Sequence, residues 1–466
     1  MILLSPQAVH IFSLLDGAQK VHISDGSGSL GKIIATEIIG DDGHQQAVVV
    51  FEFGRINLWD LSTGRGTEIG EAKMGGRGNP WIVRRVPGKT EVLALLSRVA
   101  AKDVLSLFLP TCTSPLRSVT LPTMDAQSIS WSTCGQWLAI LDSSLASPSV
   151  YIITADGYLF RSYPSRIETT PPTTPGTDDA PFGLGFRTMT WTPTALALCS
   201  AQIITLLNKR TFSPLVTMSL LSDASPNNSS RFGYQETISS TNARSYTYQT
   251  GSSLPRATAK AIITDPRASP NGLYLATRDE SATSVITIWD LSRRVPLITL
   301  QQHTAVRKMV WHQQRGNLLL LIADDNSLHF WDVSSGNAPV YVSHAFSGRS
   351  DVGRVDARWI GPSTTQDGNV EEKLALVVTS RKSGWSVLWP EGRAAIDLEG
   401  DVSQDSLYDI LTGRTPLPGD KMRDVGEDST SGSAIALDDT FRDKAGEKVP
   451  VQDKSLVGFE DDSEIF

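Results

Sequence analysis

AVRKMVWHQQRGNLLLLIADDNSLHFWDVSSGNAPVYVSH, residues Ala305 to His344, is the stretch from which the fold can be read. VRKMVW (Val306–Trp311) has the β-branched and aromatic residues of a strand, and Gln314-Arg315-Gly316 supplies the turn after it. LLLLIA (Leu318–Ala323) is an apolar run of strand length without polar alternation, the pattern of a strand buried on both faces. Asp324-Asp325-Asn326 makes the next turn, SLHFWDV (Ser327–Val333) the next strand, and PVYVSH (Pro339–His344) follows a Ser-Gly step. The reading is four strands in about 40 residues.

The preceding residues repeat the plan as KAIITDPRASPNG, LYLATRDE, SVITIWDLS and PLITLQQ. The pairs Trp289-Asp290 and Trp331-Asp332 lie 42 residues apart, inside the roughly 40–45-residue period of WD repeats. Trp59-Asp60 is a third pair, and VHIFSLLDG (Val9–Gly17), VYIITADG (Val150–Gly157) and SVLWPEG (Ser386–Gly392) are degenerate copies. Trp131, Trp191, Trp311 and Trp359 recur where first strands of units end. The expectation is an all-β chain, a WD40-type β-propeller over residues 1–399. Seven four-stranded blades would begin near Lys32, Trp81, Gln127, Arg187, Lys260, Val306 and Val355, after a half-blade in MILLSPQAVHIFSLLDGAQKVHI. A propeller closes by pairing its ends, so the half-blade either completes the ring or marks a chain that starts inside a blade. Blades pack face to face, which explains apolar central strands, while Asp and Gly serve the tight connections. Trp59, Asp60, Trp289, Asp290, Trp331 and Asp332 are therefore assigned structural roles. In WD repeats Trp, Asp, Ser/Thr and His also share a hydrogen-bonded network; only His303 lies near the Gly-His position here, so packing is expected to carry most blades.

Two polar stretches break the rhythm, one near 168–181 (ETTPPTTPGTDDAP) and one near 222–254, with aromatics at Tyr246–Tyr248. Their composition predicts exposed loops that bury too little apolar surface to offset ordering, or else partner-binding segments. Residues 400–466 read as an acidic disordered tail: from Asp401 onward there are 16 acidic and 7 basic residues, so a net charge of -8 leaves the body near neutrality. AIALDDTF (Ala434–Phe441) and LVGFEDDSEIF (Leu456–Phe466) mix apolar and acidic residues like short docking motifs. No large basic surface advertises nucleic-acid binding. No apolar run reaches the length of a membrane helix, and no signal-peptide pattern opens the chain. Cys112, Cys134 and Cys199 form no CxxC pair and read as reduced, buried thiols of a cytosolic or nuclear protein.

Several motifs invite chemistry and fail on context. Gly26–Lys32 (GSGSLGK) fits both GxGxxG and the start of a P-loop, but Ile33 stands where a P-loop needs Ser or Thr, and KIIATEII reads as a strand. No GxSxG elbow is present, and His10, His22, His44, His303, His312, His329 and His344 show no HExxH spacing. Arg84-Arg85 is like the paired arginines of phosphoinositide-binding propellers, without the FRRG flanks. The expectation is no enzyme, no cofactor, no metal and no small-molecule substrate.

One family resemblance is more specific than WD character. SPNGLYLATRDESATSVITIWDLSRRVPLITLQQHTAVRKMVWH (Ser269–His312), DAQSISWSTCGQWLAILDSS (Asp125–Ser144) and ADGYLF (Ala155–Phe160) resemble the centrosomal and spindle-pole WD-repeat proteins often called WD-repeat protein eight. The Ala276–Asp279 sequence, with Trp-Asp shortly after, is the most distinctive piece, and the insertion before it falls where that family has one. The resemblance spans roughly Val9 to Leu398. It implies a non-catalytic adaptor that anchors microtubule minus ends at a spindle pole body or centrosome. Its implied partners are a coiled-coil spindle-pole anchoring protein and a minus-end-directed kinesin, and its implied location is the cytoskeleton of the cytoplasm. It also implies that the chain lacks an N-terminal part that the family carries. The competing expectation is a WD-repeat adaptor of RNA processing, translation initiation or a ubiquitin ligase.

Overall fold

The computed structural model describes residues 2–4, 8–12, 19–24, 31–40, 44–110, 112–143, 150–164, 185–220, 232–241, 243–250, 262–347, 349, 351–360, 375–380, 382 and 384–388. Among these residues there are strands and turns and no helix. The strands form eight sheets, seven of them up-and-down antiparallel successions and the sixth carrying one parallel pairing. The seven units after the N-terminal fragment have first strands starting at Ile33, Trp81, Ser128, Thr188, Ile263, Val306 and Val355, each at or within three residues of its expected start.

Packing follows from a two-residue period. In Leu318–Ala323 every residue is buried; Leu318, Leu320 and Ile322 face the eighth sheet, whereas Leu319 and Leu321 face the sixth. In Gln46–Phe51 the same alternation sends Ala47, Val49 and Phe51 to the first sheet and Val48 and Val50 to the third. Each central strand thus lies between two apolar interfaces, which is why these strands carry no polar alternation. Seven hydrophobic clusters join the eight sheets in series. Each buried Leu or Ile contributes about 1.5–3 kcal/mol by area.

First strands of successive units approach one another, as Trp81–Arg84 does Ser128–Trp131 and Ile263–Ala268 does Val306–Trp311. They are the inner strands, and polar braces hold them. The buried Trp191 donates Nε1–H to Ser130 O at 3.0 Å, and Trp311 donates to Arg267 O at 2.8 Å, each reaching back to the preceding unit. Arg278 and Arg307 reach forward, donating to Val306 O and Val355 O. Lys308 Nζ meets Asp356 Oδ1 at 2.6 Å.

Two expectations change, and a third lies partly outside the described residues. The N-terminal fragment forms a three-stranded sheet (Ile2–Leu4, Ala8–Phe12, Gln19–Ser24) rather than half a blade, because the apolar residues at its start add a strand. The last unit shows Val355–Ile360, Ala375–Ser380 and Gly384–Leu388, and the residues expected to supply a fourth strand lie outside the described ones. The insertion near 222–254 is not a plain loop. Phe232–Ile238 and Arg244–Thr250 form a hairpin whose first strand adds in parallel to Val295–Gln301, making the sixth sheet six-stranded. The insertion near 168–181 and the tail from 400 lie outside the described residues.

Candidate functional site

The six Trp and Asp residues read from the sequence lie in three different sheets, so they do not converge on one site. Asp60 Oδ1 accepts from Ser62 N at 2.8 Å and Ser62 Oγ at 2.6 Å. Asp290 does the same with Ser292, at 2.9 and 2.6 Å, and Asp332 with Ser334, at 2.9 and 2.7 Å. Each aspartate ties the turn between third and fourth strands. The hydrogen bonds from Ser62 hold Asp60 down at about 2. The tryptophans differ. Trp289 is fully buried and donates Nε1–H to Thr277 Oγ1 at 2.8 Å. Trp331, also fully buried, donates to Asn337 O at 3.1 Å. Trp59 is half-buried, and its Nε1 has no hydrogen-bond partner among the described residues.

The densest polar cluster is one the sequence reading missed. It lies between the inserted hairpin and the seventh sheet. Glu236, whose carboxylate is fully buried, meets Arg244 Nη1 at 2.7 Å and accepts from His303 N at 2.9 Å. His303 marks the Gly-His position of a WD repeat, and here its backbone is satisfied by the hairpin. Arg244 also meets Asp325 Oδ2 at 2.5 Å and lies over the Tyr341 ring at 5.3 Å. Asp325 Oδ1 accepts from Ser327 Oγ at 2.7 Å, and Ser327 Oγ is 2.9 Å from His329 Nε2. His329 Nδ1 is 2.8 Å from Tyr246 Oη, which accepts from Gln302 Nε2 at 2.9 Å.

One proton arrangement satisfies every member. Gln302 donates to Tyr246, Tyr246 to Nδ1 of a neutral His329, His329 Nε2–H to Ser327, and Ser327 to the Asp325 carboxylate. Burial pushes His329 down to about 4, with Glu236 opposing and Arg244 adding to the shift, so the neutral form the chain requires is the form present. For Asp325 burial acts upward, but the Ser327 hydrogen bonds and Arg244 outweigh it and hold the carboxyl at about 2. The cluster clamps the hairpin of one unit onto the next. The signal in the sequence is Phe232, Tyr234 and Tyr246, aromatic residues in strand alternation inside a polar stretch.

A second charged cluster braces three sheets: Lys73 Nζ meets Asp103 at 2.9 Å, Asp125 at 2.6 Å and Ala126 O at 2.9 Å. The Arg pair is committed internally. Arg84 donates to Thr90 O at 2.8 Å, and Arg85 bridges Glu37 at 2.7 Å and Glu91 at 3.2 Å. After Gly31 and Lys32 the chain runs as the strand Ile33–Ile39, not the helix a P-loop requires; the first residues of that motif lie outside the described ones. Burial raises the Cys199 thiol to about 12; Cys112 and Cys134, expected buried, are only half-buried because both stand in turns. Among the described residues no three His, Cys, Asp or Glu side chains are grouped to hold a metal ion.

No protein-family model matches the chain. An uncharacterised WD repeat-containing protein of Schizosaccharomyces pombe is 26% identical over 281 residues, which cover 57% of this chain and 53% of the relative. The chain thus spans about half the length of the curated relative it matches. Among solved structures, Saccharomyces cerevisiae Sqt1 is similar with a TM-score of 0.52 at 10% identity, over 82% of this chain and 90% of that one. Chaetomium thermophilum Raptor matches with a TM-score of 0.41 at 12% identity, over 72% of this chain and 26% of that chain. The repeat of four-stranded sheets, the WD repeat-containing relative and the likeness to Sqt1 agree: the fold is a WD40 β-propeller.

Proposed function

We propose that this chain is a non-catalytic scaffold that holds protein partners together at a microtubule-organising centre. WD40 propellers are typically non-catalytic scaffolds. The observation that supports that role here is where the reactive side chains go. His329, Glu236, Asp325, Lys73 and Asp103 are all spent in braces between hairpins and sheets. What faces solvent is a rim with exposed aromatic and aliphatic groups, among them Tyr158, Leu159, Phe160 and Leu215.

The narrower placement rests on the resemblance of Ser269–His312, Asp125–Ser144 and Ala155–Phe160 to spindle-pole WD-repeat proteins. A coiled-coil anchoring protein and a minus-end-directed kinesin are the partners it suggests. A tagged pull-down of the chain from dividing cells, read by mass spectrometry, tests both levels. Retention of a coiled-coil spindle-pole protein and a minus-end kinesin supports the placement. Retention of ribosomal, splicing or ubiquitin-ligase subunits removes it and leaves the scaffold.

A further inference from the structure

The outer strands of the second, fourth, fifth and sixth sheets share a β-bulge at one place. The unpaired residue is Ile69, Phe160, Leu215 and Leu297, respectively. A bulge turns its extra residue sideways off the strand. Ile69 packs on the cluster between its own sheet and the next. Leu297 packs, beside Phe232 and Tyr246 of the added hairpin, on the cluster between the sixth and seventh sheets. Phe160 and Leu215 are 51% and 50% exposed. The sixth sheet shows what this rim accepts: the strand Phe232–Ile238 lies in parallel register along its outer edge.

Around Phe160 the surface is continuous across three sheets. The Arg117 guanidinium of the third sheet stacks on Tyr158 at 3.7 Å. Phe160 lies 4.7 Å from Trp137 and 5.9 Å from Phe212 of the fifth sheet, and Arg161 donates to Thr211 O. Tyr158 and Leu159 are 59% and 51% exposed. The three contributing segments, 113–120, 155–163 and 208–216, hold Arg117, Arg161, Lys209 and Arg210 against the single acid Asp156. In a chain of net charge -8 this is a locally basic, aromatic surface. Exposed aromatic and arginine residues together are the composition of interface anchors. Among the described residues, the flank of Leu159 and Arg161 that faces away from Ile153 and Ile152 carries no strand.

We infer that the outer edge of the fourth sheet at Leu159–Arg161 is a docking site for an extended partner segment rich in acidic and apolar residues. The segment adds as a strand, as the hairpin does on the sixth sheet. Its apolar side chains cover Leu159, Phe160 and Leu215, and its carboxylates meet Arg161 and Arg210. The inference rests on the scaffold reading and gives it a surface and a partner chemistry.

The test uses the full chain and fluorescence anisotropy with a labelled peptide of about ten residues that alternates Glu with Val and Phe. Saturable binding is expected, with binding weakened about tenfold or more by Leu159→Ser combined with Arg210→Glu, as for loss of interface anchors. Both positions are exposed, and an unchanged far-UV circular dichroism spectrum confirms the fold. Peptides with Lys in place of Glu, or with proline at alternate positions, should not bind. The inference is overturned by no binding, by equal binding of the Lys peptide, by an undiminished double variant, or by capture of an oligouridylate instead. The pull-down separates the two levels. If the chain retains partners but ignores the peptide, the scaffold stands and this surface is not its docking edge. If it binds the peptide but retains no partner, the docking edge stands and the scaffold reading loses its support.

Discussion

Replacing Arg244 with Met should open the inserted hairpin without unfolding the propeller. The Glu236 carboxylate has no solvent exposure, and its charged partner Arg244 is 15% exposed. Taking Arg244 away leaves a buried carboxylate with His303 N as a remaining donor, a loss that costs about 3–5 kcal/mol. The Arg244–Asp325 pair adds little, since Asp325 is 27% exposed and keeps Ser327, so its share is about 1 kcal/mol at most. Desolvated Glu236 therefore dominates. At about 1.4 kcal/mol per factor of ten, amide exchange in 232–250 should speed up about a hundred- to a few-thousand-fold. Exchange of Leu318–Ala323, deep in the seventh sheet, should hardly change. Hydrogen exchange read by mass spectrometry resolves both segments. Glu236→Gln combined with Arg244→Met removes the stranded charge and should restore much of the protection. If the double variant exchanges as fast as the single one, or the hairpin ignores Arg244→Met, the clamp is not electrostatic and the reasoning fails.

Three further outcomes follow from single side chains. Burial holds His329 at about 4 against an ordinary 6.5, so the unfolded chain binds the extra proton between those values; stability is full above pH 6.5 and falls by about 3 kcal/mol as pH drops towards 4. A thermal-melt series over pH should show that slope, and His329→Gln should flatten it. Trp289→Phe loses a buried hydrogen bond to Thr277 and part of a filled core, costing about 2–3 kcal/mol in urea unfolding, whereas Trp59→Phe, with no Nε1 partner, should cost under about 1 kcal/mol. Gly157→Ala must adopt a φ of +84° and bring its Cβ 2.8 Å from Arg117 Cδ, so a loss of about 1–2 kcal/mol is expected in the same assay.

The fold was legible because its causes are local. A Trp at or next to the end of four of the inner strands, apolar runs of five or six residues and the turns that Asp60, Asp290 and Asp332 tie all lie within single repeats, and they set the unit boundaries. The identical Trp-Asp pairs conceal unequal environments: Trp59 and Trp289 are both followed by Asp-Leu-Ser, but only Trp289 has a threonine hydroxyl at its Nε1. In the hairpin, polarity is a poor proxy for exposure, since Glu236 is buried. Glu236 is buried through Arg244, eight residues on, and that arginine is positioned by Asp325, 81 residues away. No window of sequence contains that pairing. The bulges are hidden in the same way, since a residue is extra only relative to the register of a neighbouring strand.

In a repeat fold, departures from the repeat are where function can be sought, because the common part is accounted for by packing. Every interface between successive sheets needs apolar residues in two-residue alternation, so Leu318–Ala323 and Gln46–Phe51 say nothing about partners. Two departures do. One is the added hairpin, whose chain of hydrogen bonds from Gln302 to Asp325 fixes an extra strand to an outer edge. The other is the pair of exposed bulge residues, Phe160 and Leu215, on edges that carry no such strand among the described residues. Among the described residues, the same rim position is covered from within the chain in one unit and carries no added strand in two others. The buried Glu236–Arg244 pair seats the added strand on the one edge, and under the docking inference a second chain supplies the strand at the fourth sheet.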